Sequence, residues 1–250
     1  MPKIGTRKLY HLLQEELKPL SIGRDKLFDI LRANHMLIKP SRSYHVTTNS
    51  HHRFRKHKNK IEHLEITRPE QVWVADITYI GNRENPMYLA LITDAYSKKI
   101  VGYDVSSTLA ASGSIRALKR AIRNRTYKDK SLIHHSDRGF QYCSNDYQKI
   151  LKKRGITPSM TESYDPYANA VAERVNGILK TEFLDYFGYN LPIETMESIV
   201  DETIEIYNKE RPHYSCYMKT PEEMHKQSDV KIRTYKSKKP QKETSFCGFN

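Results

Sequence analysis

Cysteine is scarce in this chain of 250 residues: Cys143, Cys216 and Cys247 lie far apart and in no Cys-x-x-Cys arrangement. Such spacing supports neither a disulfide framework nor a zinc site, and the three read as reduced thiols. Long apolar runs are also missing. The longest, around Tyr88-Leu89-Ala90-Leu91-Ile92, falls far short of the ~20 residues a membrane helix needs. The N-terminus lacks the apolar core of a signal peptide, so the expectation is a soluble cytoplasmic protein with no membrane partner. Acid is the third shortage, with 29 Asp and Glu against 42 Lys and Arg and a formal charge of +13. A surplus of that size points to a polyanionic partner, with nucleic acid the default.

A chain of this length can hold one sizeable core and a small appendage. Leu9, Leu12, Leu13 and Leu17 share one helical face, and Lys18-Pro19 stops that helix. A second helix begins at Ser21 or Gly23, with Leu27, Ile30 and Leu31 as its apolar stripe and Arg24, Lys26 and Arg32 outside it. Two short helices with basic residues on the second suggest a helix-turn-helix module over 1–38, for which a helical hairpin packed on the main domain is the alternative. A basic linker follows over 39–65. Its stretch 39–60 holds seven Lys or Arg, including Arg53, Arg55 and Lys56, with four His and no acid; phosphate contact is expected there, a solvated tether being the alternative.

The main domain is expected over 66–225, with a basic tail over 226–250. Val72 to Ile80 reads as a buried strand, and Met87 to Thr93 and Ile100 to Val105 extend it into an antiparallel meander. After that, Ile115, Leu118 and Ile122 mark a helix, Leu132-Ile133 a short strand, Tyr147, Ile150 and Leu151 a helix, and Ile156 a last strand. The expected fold class is α/β, a mixed five-stranded sheet flanked by helices, in the element order of a ribonuclease-H-like domain, with the small all-α module in front.

Three acids sit where acids are costly or exposed to a cleft. Asp76 lies mid-strand among apolar residues, Asp137 directly follows a strand, and both need a partner or a metal. A final helix, N-capped by Asp165 before Pro166, places Glu173, Asn176 and Lys180 on one face and Val171, Val175 and Ile178 on another. That arrangement buries the valines and turns Glu173 toward the cleft. Taken singly, Asp137 also reads as a turn residue, Glu173 as a solvated helix residue and Asp76 as a capped strand acid. Together they form a candidate divalent-metal site.

The motifs Trp73-x-x-Asp76-Ile77-Thr78-Tyr79, His135-Ser136-Asp137-Arg138-Gly139-x-Gln141-Tyr142 and Asp165-Pro166-Tyr167-Ala168-Asn169-Ala170-x-x-Glu173 closely resemble the retroviral-integrase-like DDE transposases of bacterial insertion sequences. Thirty-five residues separate Asp137 from Glu173, the spacing that defines this group. Tyr207-Asn208-x-x-Arg211-Pro212-His213 and Thr220-Pro221 look like its C-terminal signature. The resemblance implies that Asp76, Asp137 and Glu173 are the catalytic residues and hold two Mg²⁺ ions, with Mn²⁺ able to substitute. It implies metal-dependent cleavage and strand transfer on double-stranded DNA at element ends and target, in a bacterial, nucleoid-associated protein that works as a homo-oligomer on DNA. It further implies that this chain is a second-frame product that works with an upstream-frame product, fused or in trans. Lys180 on the Glu173 face would hold a terminal phosphate. Gln141 and His135 are candidate DNA or supporting contacts, core packing being the alternative for His135. A catalytically silent DNA-binding regulator or relic with the same fold is the alternative function, against which the three intact carboxylates weigh.

Overall fold

In a computed structural model, the described residues are 1–38, 57–82, 84–161, 170–188 and 190–232. Strands β1 (Val72–Tyr79), β2 (Tyr88–Asp94) and β3 (Ile100–Ser106) form the antiparallel meander, and β4 (Ile133–Ser136) and β5 (Thr157–Met160) run parallel to β1 on its other side. The order β3-β2-β1-β4-β5 makes β1 the central strand of the mixed five-stranded sheet. Strand β4 runs further than Leu132-Ile133 because it continues through His134 and His135, which are buried. Their polar atoms have partners inside the fold: His134 Nε2 lies 2.9 Å from the Tyr147 hydroxyl and His135 Nδ1 lies 2.9 Å from Ser159 Oγ. Histidine is a weak strand signal, so apolar patterning alone ended this strand early.

Alternation along β1 assigns its two faces. Trp73, Ala75 and Ile77 point into a core with Ala117, Leu118 and Ala121 of α4 (Ala111–Arg123) and Tyr147 and Leu151 of α6 (Asn145–Lys153). A short α5 (Phe140–Cys143) precedes α6. Gly102 allows α4 to lie on β3, since a Cβ there would stand 2.3 Å from the Ala117 carbonyl oxygen. On the opposite face, Val72 and Val74 meet Ala172 of α7 (Ala170–Ile178). Leu89 and Leu91 of β2 pack there on Val175, Leu179 and Phe183 and on Val200 and Ile204 of α8 (Ile193–Lys209). The Asp165 cap lies outside the described residues. Beyond Ile178 the helix widens into a π turn over Leu179–Phe183.

Two buried ionic clusters tie distant parts of the chain to this sheet. Glu70, fully buried, accepts bonds from the Thr126 and Tyr127 amides at 2.8 and 2.9 Å, with Arg125 Nε and His225 Nε2 at 3.4 and 3.5 Å. His225 closes α9 (Pro221–His225), which starts with a Thr220–Glu223 capping box. In the second cluster the buried Arg211 grips Glu182 with two bonds of 2.7 and 2.8 Å, and Lys8 reaches the same carboxylate at 2.6 Å. Lys8 belongs to α1 (Thr6–Leu12), so the N-terminal helices are pinned to the π turn.

That N-terminal module departs from the expected single first helix. The chain breaks at Leu13 into α1 and α2 (Gln14–Leu17), followed by α3 (Arg24–Ala33). Leu17, Leu27 and Leu31 form its small core, with Leu9 and Leu13 packed against it, but Leu12 is exposed because the break turns it outward.

The Arg211–Glu182 pair carries a testable consequence. Burial alone would raise the Glu182 carboxyl, yet Arg211 and Lys8 hold it below its ordinary value. Removing one partner of a buried pair leaves an uncompensated charge, so Arg211→Ala is expected to lower stability by about 3–5 kcal/mol. Denaturant unfolding of the two proteins at pH 7 checks this. The lowered carboxyl contributes stability that is lost as the pH falls through its folded value, so the gap between wild type and variant narrows in acid.

Candidate active site

The sheet register brings two of the acids together. Strands β1 and β4 pair Val72 with Ile133 and so on to Ala75 with Ser136. Continuing that parallel register by one residue sets Asp137 beside Asp76, and neighbouring strands run only ~4.8 Å apart. Alternation from Val72 and Val74 puts Asp76 on the sheet face that α7 covers. There Asn176 Nδ2 donates to Asp76 Oδ2 at 2.8 Å, and the Ile77 amide donates to Asp76 Oδ1 at 2.9 Å. Asp137 Oδ1 accepts from the Gly139 amide at 2.9 Å. A Cβ on Gly139 would stand 2.9 Å from that same oxygen and from Gln141 Oε1, so a larger residue there would require those side chains to shift.

Electrostatics couples the acids. The Asp76 carboxyl is raised to about 7, first by burial, then by the negative charge of Asp137 and to a lesser degree that of Glu173, against the lowering effect of the Ile77 and Asn176 bonds. A carboxylate held against ionisation by a neighbouring carboxylate is the arrangement a cation relieves. The side chains fit that role: hard oxygen donors suit Mg²⁺, and the Asn176 Oδ1 is buried with no hydrogen-bond partner. Glu173 sits on the exposed side of α7. Among the described residues, no three His, Cys, Asp or Glu side chains stand close enough to hold a metal ion by themselves. Residues 162–169, which lead into α7, lie outside the described residues.

The other expected contacts divide. Lys180 lies in the π turn, partly exposed. Gln141 does not reach the surface: it is buried and its Nε2 donates to the Leu109 carbonyl at 3.0 Å, because α5 turns it into the core. His135 is likewise in the core. Lys26 is exposed, whereas Arg24, also exposed, is held by Asp25 at 2.8 Å. Arg53, Arg55 and Lys56 lie outside the described residues. Asn176 is the residue whose role sequence reasoning missed. Its place three residues after Glu173 was legible, but its bond to Asp76 needs a chain reversal a hundred residues long.

A mixed sheet of this order, with helices on both faces, one acid inside its central strand and another just after the neighbouring strand, is the integrase-core form of the ribonuclease-H-like fold. The chain matches the integrase core domain family over residues 66–166 and again over 154–221. It is 37% identical over 211 residues to the insertion element IS600 uncharacterized 31 kDa protein of Shigella sonnei, covering 84% of this chain and 76% of that one. It is 36% identical over 152 residues to a putative transposase for IS986/IS6110 of Mycobacterium tuberculosis, covering 59% of this chain and 55% of that one. Among solved structures, the simian T-cell lymphotropic virus intasome in complex with a PP2A regulatory subunit is similar at a TM-score of 0.57 and 22% identity, over 93% of this chain and 78% of that one. The catalytic core of HTLV-2 integrase, solved with magnesium, is similar at 0.51 and 21% identity, over 63% of this chain and 97% of that one. This chain belongs to the integrase-like transposases of bacterial insertion sequences, and its function is DNA transposition.

The coupled acids predict an inverted pH dependence. Because the folded Asp76 carboxyl titrates near 7 rather than near its ordinary 3.8, the folded state binds a proton that the unfolded state has lost between those values. Metal-free stability should therefore fall as the pH rises from about 4 to about 7. A divalent cation replaces that proton, so the rise in Tm on adding Mg²⁺ should be larger at pH 8 than at pH 5.5. Asp76→Asn should flatten both trends in thermal unfolding; a Mg²⁺ effect independent of pH in the wild type would contradict this account.

Proposed function

We propose that this chain cuts DNA at the ends of an insertion sequence and joins the freed strand to a target, with Asp76, Asp137 and Glu173 as its metal-holding catalytic residues. The observation that supports the reading is the Asp76 carboxyl, raised to about 7 by burial and then by the charge of Asp137, at the point where the β1–β4 pairing ends with Ala75 beside Ser136. The magnesium in the HTLV-2 core supports a divalent cation in the same fold. Two such ions, when bound, supply charge that activates an attacking oxygen and stabilises a leaving one in an in-line displacement. Asp76 and Asp137 would hold them from the sheet and Glu173 from α7.

The surrounding residues orient and exclude. Asn176 holds one Asp76 oxygen at 2.8 Å, fixing the direction of the carboxylate's other lone pairs. The Gly139 amide does the same for Asp137. Lys180, partly exposed in the π turn that continues α7, would neutralise a terminal phosphate. The same site serves hydrolysis by water and then attack by the 3′-hydroxyl that hydrolysis frees, since both are displacements at a phosphodiester phosphorus. End recognition needs base contacts worth ~4–10 kcal/mol beyond non-specific binding. As one short helix, α3 offers few base-reading side chains, so a second DNA-reading partner, the upstream-frame product or another copy of the chain on the DNA, completes the active assembly.

The experiment is strand cleavage and strand transfer on element-end duplexes with Mg²⁺, wild type against Asp137→Asn. The substitution removes a metal ligand and a negative charge near phosphate. Cleavage and joining are expected to disappear while duplex affinity stays equal or rises. Cleavage by Asp137→Asn at a rate near that of the wild type would show that the acids are not the catalytic set. A wild type that binds ends tightly and never cuts them, with its partner supplied, would instead mark a DNA-binding regulator.

A further inference from the structure

Helices α4 and α6 end side by side at the edge of the core on the sheet face opposite α7, above the entries to β4 and β5. Their last turns and the loop after α4 frame a cavity of about 640 Å³. Lys119, Arg123, Lys128, Lys153 and Arg154 line it, and all five are exposed. Its floor is apolar, made by Ile122, Ile150 and Ile156. A sixth cation on the wall, Arg125, is already committed to the buried Glu70. No acid lines the cavity, and among the described residues none of the five exposed cations is in an ion pair. The two helix C-termini carry about half a negative charge each, so they offset roughly one of the five positive charges.

This cavity is separate from the acids. It lies across the sheet from α7 and Asn176, and α6 alone, nine residues from Asn145 to Lys153, sets its far end about 13 Å from the Asp137 loop. These cations therefore lie on the other face of the sheet from the acids, beyond the far end of α6. Their chemistry selects the occupant. A lining of lysine and arginine with no acid offers charge to phosphates, contacts that carry no sequence information. An isoleucine floor between cations matches a sugar–phosphate backbone, in which apolar sugar faces alternate with charges, better than it matches a free phosphate. Duplex DNA also supplies a dense anion, one charge per ~1.7 Å of axis.

We propose that this cavity is a second DNA-backbone site, which holds a duplex segment other than the one at the acids and does so without reading its sequence. The proposal rests on the reading that the acids process DNA. Holding two segments is what strand transfer requires, since the cut end and the strand it joins belong to different duplexes.

The test is a quadruple variant, Lys119→Ala, Arg123→Ala, Lys153→Ala and Arg154→Ala, in the full chain. All four side chains are exposed, so thermal unfolding is expected to match that of the wild type, and a single Lys153→Glu variant serves as a second probe should the quadruple variant be unstable. Affinity for a long random-sequence duplex is measured against salt, and cleavage is measured on a short end duplex. Each lost phosphate contact removes ~0.9 from the log–log slope, so a slope shallower by about 2–4 is expected, with short-duplex cleavage unchanged and joining to a separate target duplex reduced at least tenfold. An unchanged slope overturns the proposal. So does an equal loss of short-duplex cleavage, which would place these cations on the duplex at the acids. Loss of polyglutamate binding with duplex binding intact would assign the cavity to an acidic protein segment and also overturn it. If the slope falls as expected while the wild type never cleaves, the backbone site stands and the catalytic reading above fails.

Discussion

A carboxylate inside the central strand of a sheet is the constraint on which this structure turns. Asp76 has apolar neighbours on both sides in sequence and Asn176 as a side-chain partner, and the charge of Asp137 acts on it. Burial and like charge both oppose its ionisation, which is why its carboxyl rises to about 7. Such a placement is destabilising at neutral pH unless a cation is present. The resulting strain is local, because Trp73 to Ala75, which lead into Asp76, are buried and paired with both β2 and β4.

Rigid packing makes that strain tolerable. The α4 and α6 face of the sheet is filled by Trp73, Leu118, Tyr147 and Leu151, with Gly102 letting α4 approach closely. On the other face α7 carries Ala172 and Val175 inward, and this sets Asn176 against Asp76. The C-terminal part of the chain adds ionic contacts to its apolar packing on the sheet. Arg211 and Lys8 meet at Glu182, and His225 and Arg125 meet at Glu70. An Asp94, Ser97 and His225 cluster also forms, with Ser97 Oγ 2.7 Å from Asp94 Oδ1 and 2.9 Å from His225 Nδ1. Because all three are buried, this grouping locks the β2–β3 turn to α9 and has no access to a substrate.

Charge is divided between the two faces of the domain. The acids gather where α7 covers the sheet, and unpaired cations gather where α4 and α6 end. A chain of net charge +13 could bind a polyanion at many places. Among the described residues, five exposed cations of that chain collect around one cavity, on the sheet face opposite α7.

The sequence by itself determined the sheet and the helices of the main domain, and it singled out three acids as candidates. Period-2 and period-3.6 patterns follow local geometry, and a carboxylate among valines is conspicuous wherever it folds. It under-read β4, since buried histidines do not look apolar, and it could not show Leu12 turning outward at the Leu13 break. Only the tertiary structure decided that Gln141 faces the core, that Arg211 grips Glu182, that Asn176 holds Asp76 and that five cations share one cavity. Each of these depends on which distant segments meet across the sheet. Side-chain spacing along a helix or strand carries no information on that, because pairing partners lie dozens of residues away and are selected by packing.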